Sequence, residues 1–254
     1  MEGMQNNTNT IASLIDAIFS ASAPYFFTGA GVSTVCGIPD FRGPNGLYRD
    51  PNVARMFEID LFDEDPSYFY SMADTLVYGT SAIEPGPVHR AIAALEHTGR
   101  SLGVVTQNID GLHERAGSSP VYAVHGSAAM HHCRRCGDAK TFDEIVAIRG
   151  GIKGAVPHCA KCGGVYKPDI TFFGEMLPEA AFDGAMRLAD KADLVVVLGS
   201  SLTVHPAASI PLRTLRRGGK MAIVNRGETP YDDLAEFLCD DLAEFAAALF
   251  ARLP

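Results

Sequence analysis

Positive charge is scarce in this chain: 21 Lys and Arg stand against 30 Asp and Glu over 254 residues, a net charge of −9. Such a surface repels nucleic acid and anionic membrane, so a basic peptide is the better-matched partner and direct nucleic-acid binding is not expected. The start also lacks what a signal peptide needs, because Met1 to Thr10 is polar and Asn-rich with no basic segment leading into an apolar one. No apolar run is long enough to span a bilayer. The expected location is cytoplasmic, with no membrane partner. Cysteine is sparse too, six in all, yet four fall as Cys133-x-x-Cys136 and Cys159-x-x-Cys162. Without a secretion signal, two such pairs read as metal ligands rather than disulfides.

What is present is the composition of a globular protein, 47% hydrophobic and 20% charged. That suffices for one large domain, with or without insertions. Ile11, Leu14, Ile15, Ile18 and Phe19 recur at helical spacing and predict one apolar helix face. Tyr25 to Phe27 is a short apolar run that stops at Thr28-Gly29-Ala30-Gly31, the pattern of a buried strand entering a side-chain-free turn whose amides can face a pyrophosphate. The dinucleotide fingerprint is incomplete, since its third glycine position holds Thr34 and no helical repeat is expected through Gly37, Pro39, Gly43, Pro44 and Gly46. An ordinary Gly/Pro loop would read similarly, except that Asp40, Phe41 and Arg42 sit together in it.

The rest alternates. Asn52 to Gly79 reads as a module of short helices, Val88, Ile92 and Leu95 as a helix stripe, and Leu102 to Thr106 as a strand ending at Gln107-Asn108-Ile109-Asp110. A strand from Val121 to Val124 ends at His125-Gly126, one from Leu194 to Leu198 at Gly199-Ser200-Ser201, and one from Met221 to Val224 at Asn225-Arg226-Gly227. Between His131 and Tyr166 no periodicity is visible. A last helix carries Leu242, Phe245, Ala246, Leu249, Phe250 and Leu253 on one face. Strands alternating with helices predict an α/β fold, a Rossmann-like doubly wound parallel sheet interrupted by a helical insert and a four-cysteine zinc ribbon. Ligands of such sheets bind at the carboxyl ends of the strands, where Gln, Asn, Asp and His collect here. The expected division is 1–48 with 85–127 and 167–254 as the large domain, and 49–84 with 128–166 as the small one.

Four thiolates fill a tetrahedral zinc site and leave no position for an activated water, so the role expected for Cys133, Cys136, Cys159 and Cys162 is structural. His131, His132 or His158 could replace one cysteine. His125 at a strand end reads either as a packed core histidine or, with Asn108 and Asp110 beside it, as a neutral base acting on a sugar hydroxyl. His89, His97, His113 and His205 read from the residues alone as surface or packing positions.

Several long motifs then occur in one order: Gly29-Ala30-Gly31-x-Ser33, Gly37 to Gly43, Gln107 to Asp110, His125-Gly126, the cysteine pairs, Lys167-Pro168-Asp169-Ile170-x-Phe172-Phe173-Gly174-Glu175, Gly199 to Leu202 with Val204, and Ile223-Val224-Asn225. From Phe27 to Asp241 the chain resembles the sirtuins, NAD-dependent protein lysine deacylases, in their compact bacterial form. The resemblance implies NAD as a consumed co-substrate and one structural zinc. It implies that Gly29, Ala30, Gly31, Ser33 and Arg42 hold the pyrophosphate side, that Gly199, Ser200, Ser201, Asn225, Arg226, Gly227 and Asp241 surround the adenosine, and that Gln107, Asn108, Ile109 and Asp110 place the nicotinamide ribose. Ile38 and Asp40 would line the nicotinamide pocket under Phe41. His125 would be the base and Asn108 a second catalytic residue. An acetylated lysine-containing protein or peptide would lie between Phe173-Gly174-Glu175 and Val204-His205.

The implied chemistry releases nicotinamide and O-acetyl-ADP-ribose, with protein ADP-ribosylation as the alternative outcome. A neutral acyl group is expected, because members that prefer succinyl carry Arg where this chain has Ala73, three residues after Tyr70. Two other classes are weighed. A dehydrogenase shares the glycine turn but places an acid about 20 residues on, where this chain has loop and helical insert. A zinc-ribbon nucleic-acid module would rest on residues 133–162, where six Lys/Arg against three Asp/Glu give only +3.

Overall fold

The computed structural model describes residues 10–43 and 46–253. The expected polar start up to residue 9, and Pro44, lie outside the described residues. In order along the chain the elements are α1 (Ile11–Ser20), β1 (Pro24–Thr28), α2 (Pro51–Arg55), α3 (Ile59–Glu64), α4 (Pro66–Leu76), α5 (Pro87–His97), β2 (Val104–Thr106), α6 (Leu112–Arg115), β3 (Val121–Ala123), β4 (Gly126–Cys133), β5 (Ala139–Thr141), α7 (Phe142–Arg149), β6 (Tyr166–Ile170), α8 (Glu179–Lys191), β7 (Leu194–Leu198), α9 (Ile210–Arg216), β8 (Lys220–Val224), β9 (Phe237–Cys239) and α10 (Leu242–Arg252).

Six strands pair in parallel in the order β3-β2-β1-β7-β8-β9. The period of two along a strand sorts their side chains into two cores. Phe26, Val104, Val196 and Val224 pack on one face against Leu14 and Ile18 of α1, Ile92 of α5 and Phe245 of α10. Tyr25, Phe27, Val195, Val197 and Ile223 pack on the other against Ala185 and Leu188 of α8 and Ile210 of α9. Strands covered on both faces read as continuous apolar runs, and β1 and β7 are buried at every position. The chain returns to β7 only after β2 to β6, so β1 and β7 meet at a switch point, where a crevice opens at the carboxyl ends.

The strands expected from the sequence are all present, with shifted bounds. β2 begins at Val104 because Gly103 turns at φ +128 against Pro120, where an added Cβ would lie 2.6 Å from a backbone oxygen. The loop after β1 contains a short 3₁₀ helix, Ala30–Cys36, which no repeat in the sequence announces and which closes at Gly37, φ +89, the first of the residues expected to break a helical run. The stretch 131–166 is also more regular than expected. Its α7 is opened by Thr141, whose hydroxyl accepts from the Glu144 N–H while the Glu144 carboxylate accepts from the Thr141 N–H. In α10, Phe250 is turned outward at 40% exposure, leaving Phe245, Ala246 and Leu249 to anchor the helix.

A second, antiparallel sheet has the order β5-β4-β6. Its apolar face joins the helical insert in a third cluster: Met56, Phe57, Phe62, Phe69, Tyr70 and Ala73 with Cys133, Ile145, Tyr166, Ile170 and Phe172. Edge-to-face aromatic pairs carry this core, with Phe57 and Phe172 at 5.6 Å and 90°. The Tyr70 hydroxyl donates to the Tyr166 carbonyl at 2.6 Å, tying the insert to β6. Among the described residues no helix is long and apolar enough to cross a membrane.

Candidate active site

β1 and β7 end side by side, and their loops touch backbone to backbone. The Gly29 N–H donates to Leu198 O at 3.0 Å and the Gly31 N–H to Gly199 O at 2.9 Å. A Cβ on Gly31 would sit 2.7 Å from Gly199 Cα, and Gly199 itself holds φ +59. These glycines are therefore fixed by the approach of two strand ends, and both of their N–H groups are already used there.

Below this contact lies a buried polar network. Thr28 and Thr106 end β1 and β2 in register, and Thr28 Oγ1 donates to Thr106 Oγ1 at 2.8 Å. The Asn108 N–H donates to Thr106 Oγ1 at 3.0 Å, and Asn108 Nδ2 reaches Gly29 O at 3.1 Å and Ser33 Oγ at 3.2 Å. Ser33 Oγ in turn donates to Asp110 Oδ2 at 2.7 Å. His89 accepts the Gly86 N–H at Nδ1, so its proton lies on Nε2, 3.5 Å from Ser33 Oγ. His113 Nε2 faces Thr28 Oγ1 at 2.9 Å, and the two imidazoles meet edge to face at 4.6 Å. Burial lowers the pKa of both, and Asp110 opposes it at His89. His89 and His113 pack as expected, but directly beneath the candidate residues, which sequence reading did not find. The available signal was the paired threonines at two successive strand ends.

His125 Nδ1 donates to the Gln107 carbonyl at 2.9 Å. That fixes the tautomer, leaving the lone pair on Nε2. Burial lowers its pKa, the Gln107 carbonyl works against this, and nearby Arg42 adds to the lowering. The imidazole is thus neutral and able to take a proton. Gln107 Nε2 donates to Ser200 Oγ at 2.7 Å, joining the ends of β2 and β7.

A cavity of about 160 Å³ opens over this network, walled by Ala30, Ser33, Ile38, Phe41, Asn108, Ile109 and Asp110. Its wall is mostly apolar, with Ser33, Asn108 and Asp110 as converging polar groups whose protons are already spent on one another and on Gly29, so that they offer acceptors, suited to hydroxyl and amide N–H donors of a ligand. Asp40 is turned onto its own loop, accepting the Gly43 N–H at 2.8 Å, and Arg42 lies 5.0 Å over the Tyr48 ring. Asn225, Arg226, Gly227 and Asp241 form a more exposed rim beyond β8 and β9. Asn225 Nδ2 donates to Gly227 O at 2.8 Å, and Asp241 caps α10 by accepting from Ala243 and Glu244 at 2.8 and 2.9 Å. Ser201 pairs with Thr203 at 2.9 Å. On the peptide side, Phe173 is pinned by backbone bonds to Phe57 and Ile59 yet remains 45% exposed, Gly174 turns at φ +97, and His205 lies exposed before Pro206.

The four paired cysteines converge, with all Sγ atoms within 4.8 Å of one another. Across the knuckles Cys133 and Cys162 lie 3.5 Å apart and Cys136 and Cys159 3.7 Å, against about 3.8 Å for thiolates at tetrahedral Zn–S distances. The histidines that could have replaced a cysteine have other partners: His131 bonds the Tyr78 hydroxyl at 2.8 Å, His132 bonds Asp169 at 2.7 Å, and His158 lies 3.4 Å from Gly163 O. The donor set fits one structural zinc.

The sequence profile of the Sir2 family matches residues 29–206. An NAD-dependent protein deacetylase of Thermotoga maritima is 43% identical over 233 residues, 91% of this chain and 94% of that protein. A solved Sir2 variant with deacetylated p53 peptide and 3'-O-acetyl ADP-ribose superposes with a TM-score of 0.89 at 40% identity, over 95% of this chain and 98% of the other. Sir2 with p53 peptide and NAD+ does so at 0.87 and 40%, with the same coverage. With the profile spanning residues 29–206, which hold both inserts, strands β2, β3 and β7 and the loops that follow β1, β2, β3 and β7, the chain belongs to the Sir2 family.

Proposed function

We propose that this chain is an NAD-dependent protein lysine deacetylase, converting acetyl-lysine, NAD and water to lysine, nicotinamide and O-acetyl-ADP-ribose. The observation that carries this reading is His125 at the end of β3, kept neutral by burial and held by the Gln107 carbonyl in the tautomer that leaves the Nε2 lone pair free, at a strand end next to the one bearing Asn108 and Asp110. NAD, when bound, supplies the electrophilic ribose carbon from which nicotinamide leaves. Asn108 and the Ser33–Asp110 pair orient the ribose and its neighbouring water, while Ile38 and Phe41 exclude bulk water from the reacting carbon. His125 Nε2 takes the proton of a ribose hydroxyl, raising its nucleophilicity toward the acyl carbon. Phe173 and Gly174 with Val204 and His205 flank the peptide, and the adenosine lies along Gly199 to Ser201 and the Asn225 rim.

The cysteine quartet sits at the end of β4 and in the turns beside the small sheet and takes no part in these steps; it closes the ribbon, whose Cys133 and Cys159 pack in the third cluster, the core of a small domain. Four thiolates suit a reducing cytoplasm. The preferred acyl groups are short and neutral. The test is mass spectrometry of an acetyl-lysine peptide incubated with protein and NAD. Free nicotinamide with acetylated ADP-ribose supports the reading, peptide carrying ADP-ribose points to transfer instead, and unchanged peptide overturns both.

A further inference from the structure

Among the described residues only two Lys or Arg side chains are buried, Arg149 and Lys167. Arg149 pairs with Asp74 at 2.7 Å between the ribbon and the helical insert. Lys167, on β6, has a different set of partners. Its three donors are all used: Nζ reaches Ile170 O at 2.7 Å, Glu175 Oε2 at 2.8 Å and Pro168 O at 3.2 Å. The ammonium also lies 4.1 Å from the centre of the Phe172 ring. Glu175 Oε2 in turn accepts the Phe172 N–H at 2.9 Å, and the Glu175 N–H donates to Phe172 O at 3.0 Å. The turn 172–175, which carries exposed Phe173, is thereby closed on itself and clamped to the lysine.

The same lysine also reaches toward the base. The peptide unit between Ile170 and Thr171 accepts from Lys167 at its carbonyl and donates its N–H to the His125 carbonyl at 2.9 Å. A hydrogen bond to a charged donor polarises that peptide and strengthens its own donation. Glu175, Lys167, one peptide group and His125 form a continuous chain from the peptide-side turn to the strand end bearing the imidazole. We propose that Lys167 is a positioning residue that holds the Phe172–Glu175 turn in register with His125, so that acyl-lysine and base meet in one geometry. The inference rests on the deacetylase reading for the identity of the peptide.

The test compares wild type with Lys167→Met, which keeps the apolar stem under Phe172 and removes the charge. The Michaelis constant for an acetyl-lysine peptide rises about tenfold while that for NAD stays within about twofold, as a misplaced binding turn requires. A fluorescent acetyl-lysine peptide, read by anisotropy without turnover, weakens in parallel. Adding Glu175→Gln to Lys167→Met recovers part of the peptide affinity, because the partly buried carboxylate that lost its partner is gone. Lys167→Arg keeps the cation, and should it alone fold, it binds peptide within about threefold of wild type. Peptide binding by Lys167→Met equal to wild type overturns the inference. So do equal losses for peptide and NAD that track a lost folded fraction, since these mark fold support only. Wild-type protein that binds the peptide without turning it over would instead sink the deacetylase reading, leaving the binding comparison interpretable.

Discussion

Replacing His125 by Ala removes one side chain whose assigned proton position makes a definite forecast. Its Nδ1 bond to Gln107 O at 2.9 Å is one neutral hydrogen bond, worth about 1 kcal/mol net, so the fold survives. NAD affinity changes little, because the cavity walls at Ala30, Ile38, Phe41 and Asn108 remain. Turnover is another matter: loss of a general base costs about 10²-fold or more. The pH profile adds a sign. The active form is neutral, and burial places the folded pKa below its ordinary 6.5. Activity in kcat/KM therefore falls toward acid pH with a midpoint below 6.5, as Nε2 takes up a proton. The assay is O-acetyl-ADP-ribose formation across pH 5 to 9 for both proteins. A mutant with near-normal turnover, or a wild-type acid limb centred well above 7, would refute the reasoning.

Freshly purified protein with reduced thiols contains about one zinc per chain. Cys133→Ala abolishes binding and unfolds the ribbon, while the large sheet still melts cooperatively; under half an equivalent of metal in wild type, or an unchanged content in the mutant, contradicts this. Gly31→Ala lowers the melting temperature and weakens NAD binding, because its Cβ would lie 2.7 Å from Gly199 Cα and no rotamer relieves a backbone clash; the cost is about 1–3 kcal/mol, and an unchanged melting curve speaks against it. In paired kcat/KM measurements on one peptide, acetyl is removed much faster than succinyl, since an unpaired buried carboxylate costs several kcal/mol. Tyr70 already donates to Tyr166 O, and the nearest cation, Arg149, already holds Asp74. Ala73→Arg narrows the ratio but lowers the melting temperature, as Ala73 has no exposure at all; equal wild-type rates on the two peptides would mean another cation serves the acyl pocket.

Much of the architecture was legible because the strands are buried on both faces. Runs such as Leu194 to Leu198 read as buried strands when they stop at Gly-Ser-Ser, and the loaded strand ends pointed to the candidate site without any coordinates. The cysteine quartet was legible from spacing, since each knuckle is local. What escaped notice had weaker local signals. The helix α7 is only eight residues, and its apolar residues are scattered, with Val146 and Ile148 exposed. Its capping box, Thr141-x-x-Glu144, was there to be read. The 3₁₀ helix after β1 follows no helical repeat, because it is one short run of local turns anchored to the neighbouring strand end by the Gly31 N–H rather than by an apolar face.

The site's inner wiring was illegible for a deeper reason. Single residues at strand ends suggest chemistry, but their proton positions depend on partners distant in sequence: His125 takes its tautomer from Gln107, 18 positions away, and Ser33 is oriented by residues 75 and 77 positions away. Lys167 is the extreme case. In the sequence it is one letter of a family motif, with nothing in its pattern to separate it from a surface lysine. Its ammonium faces Ile170 O and Glu175 once the turn 172–175 folds back on β6, and the Thr171 N–H reaches the His125 carbonyl where β6 lies along β4. A buried cation is tolerated there because each of its three protons has an acceptor: two on β6, whose next peptide N–H reaches the His125 carbonyl, and one on the turn that must be aligned with that base.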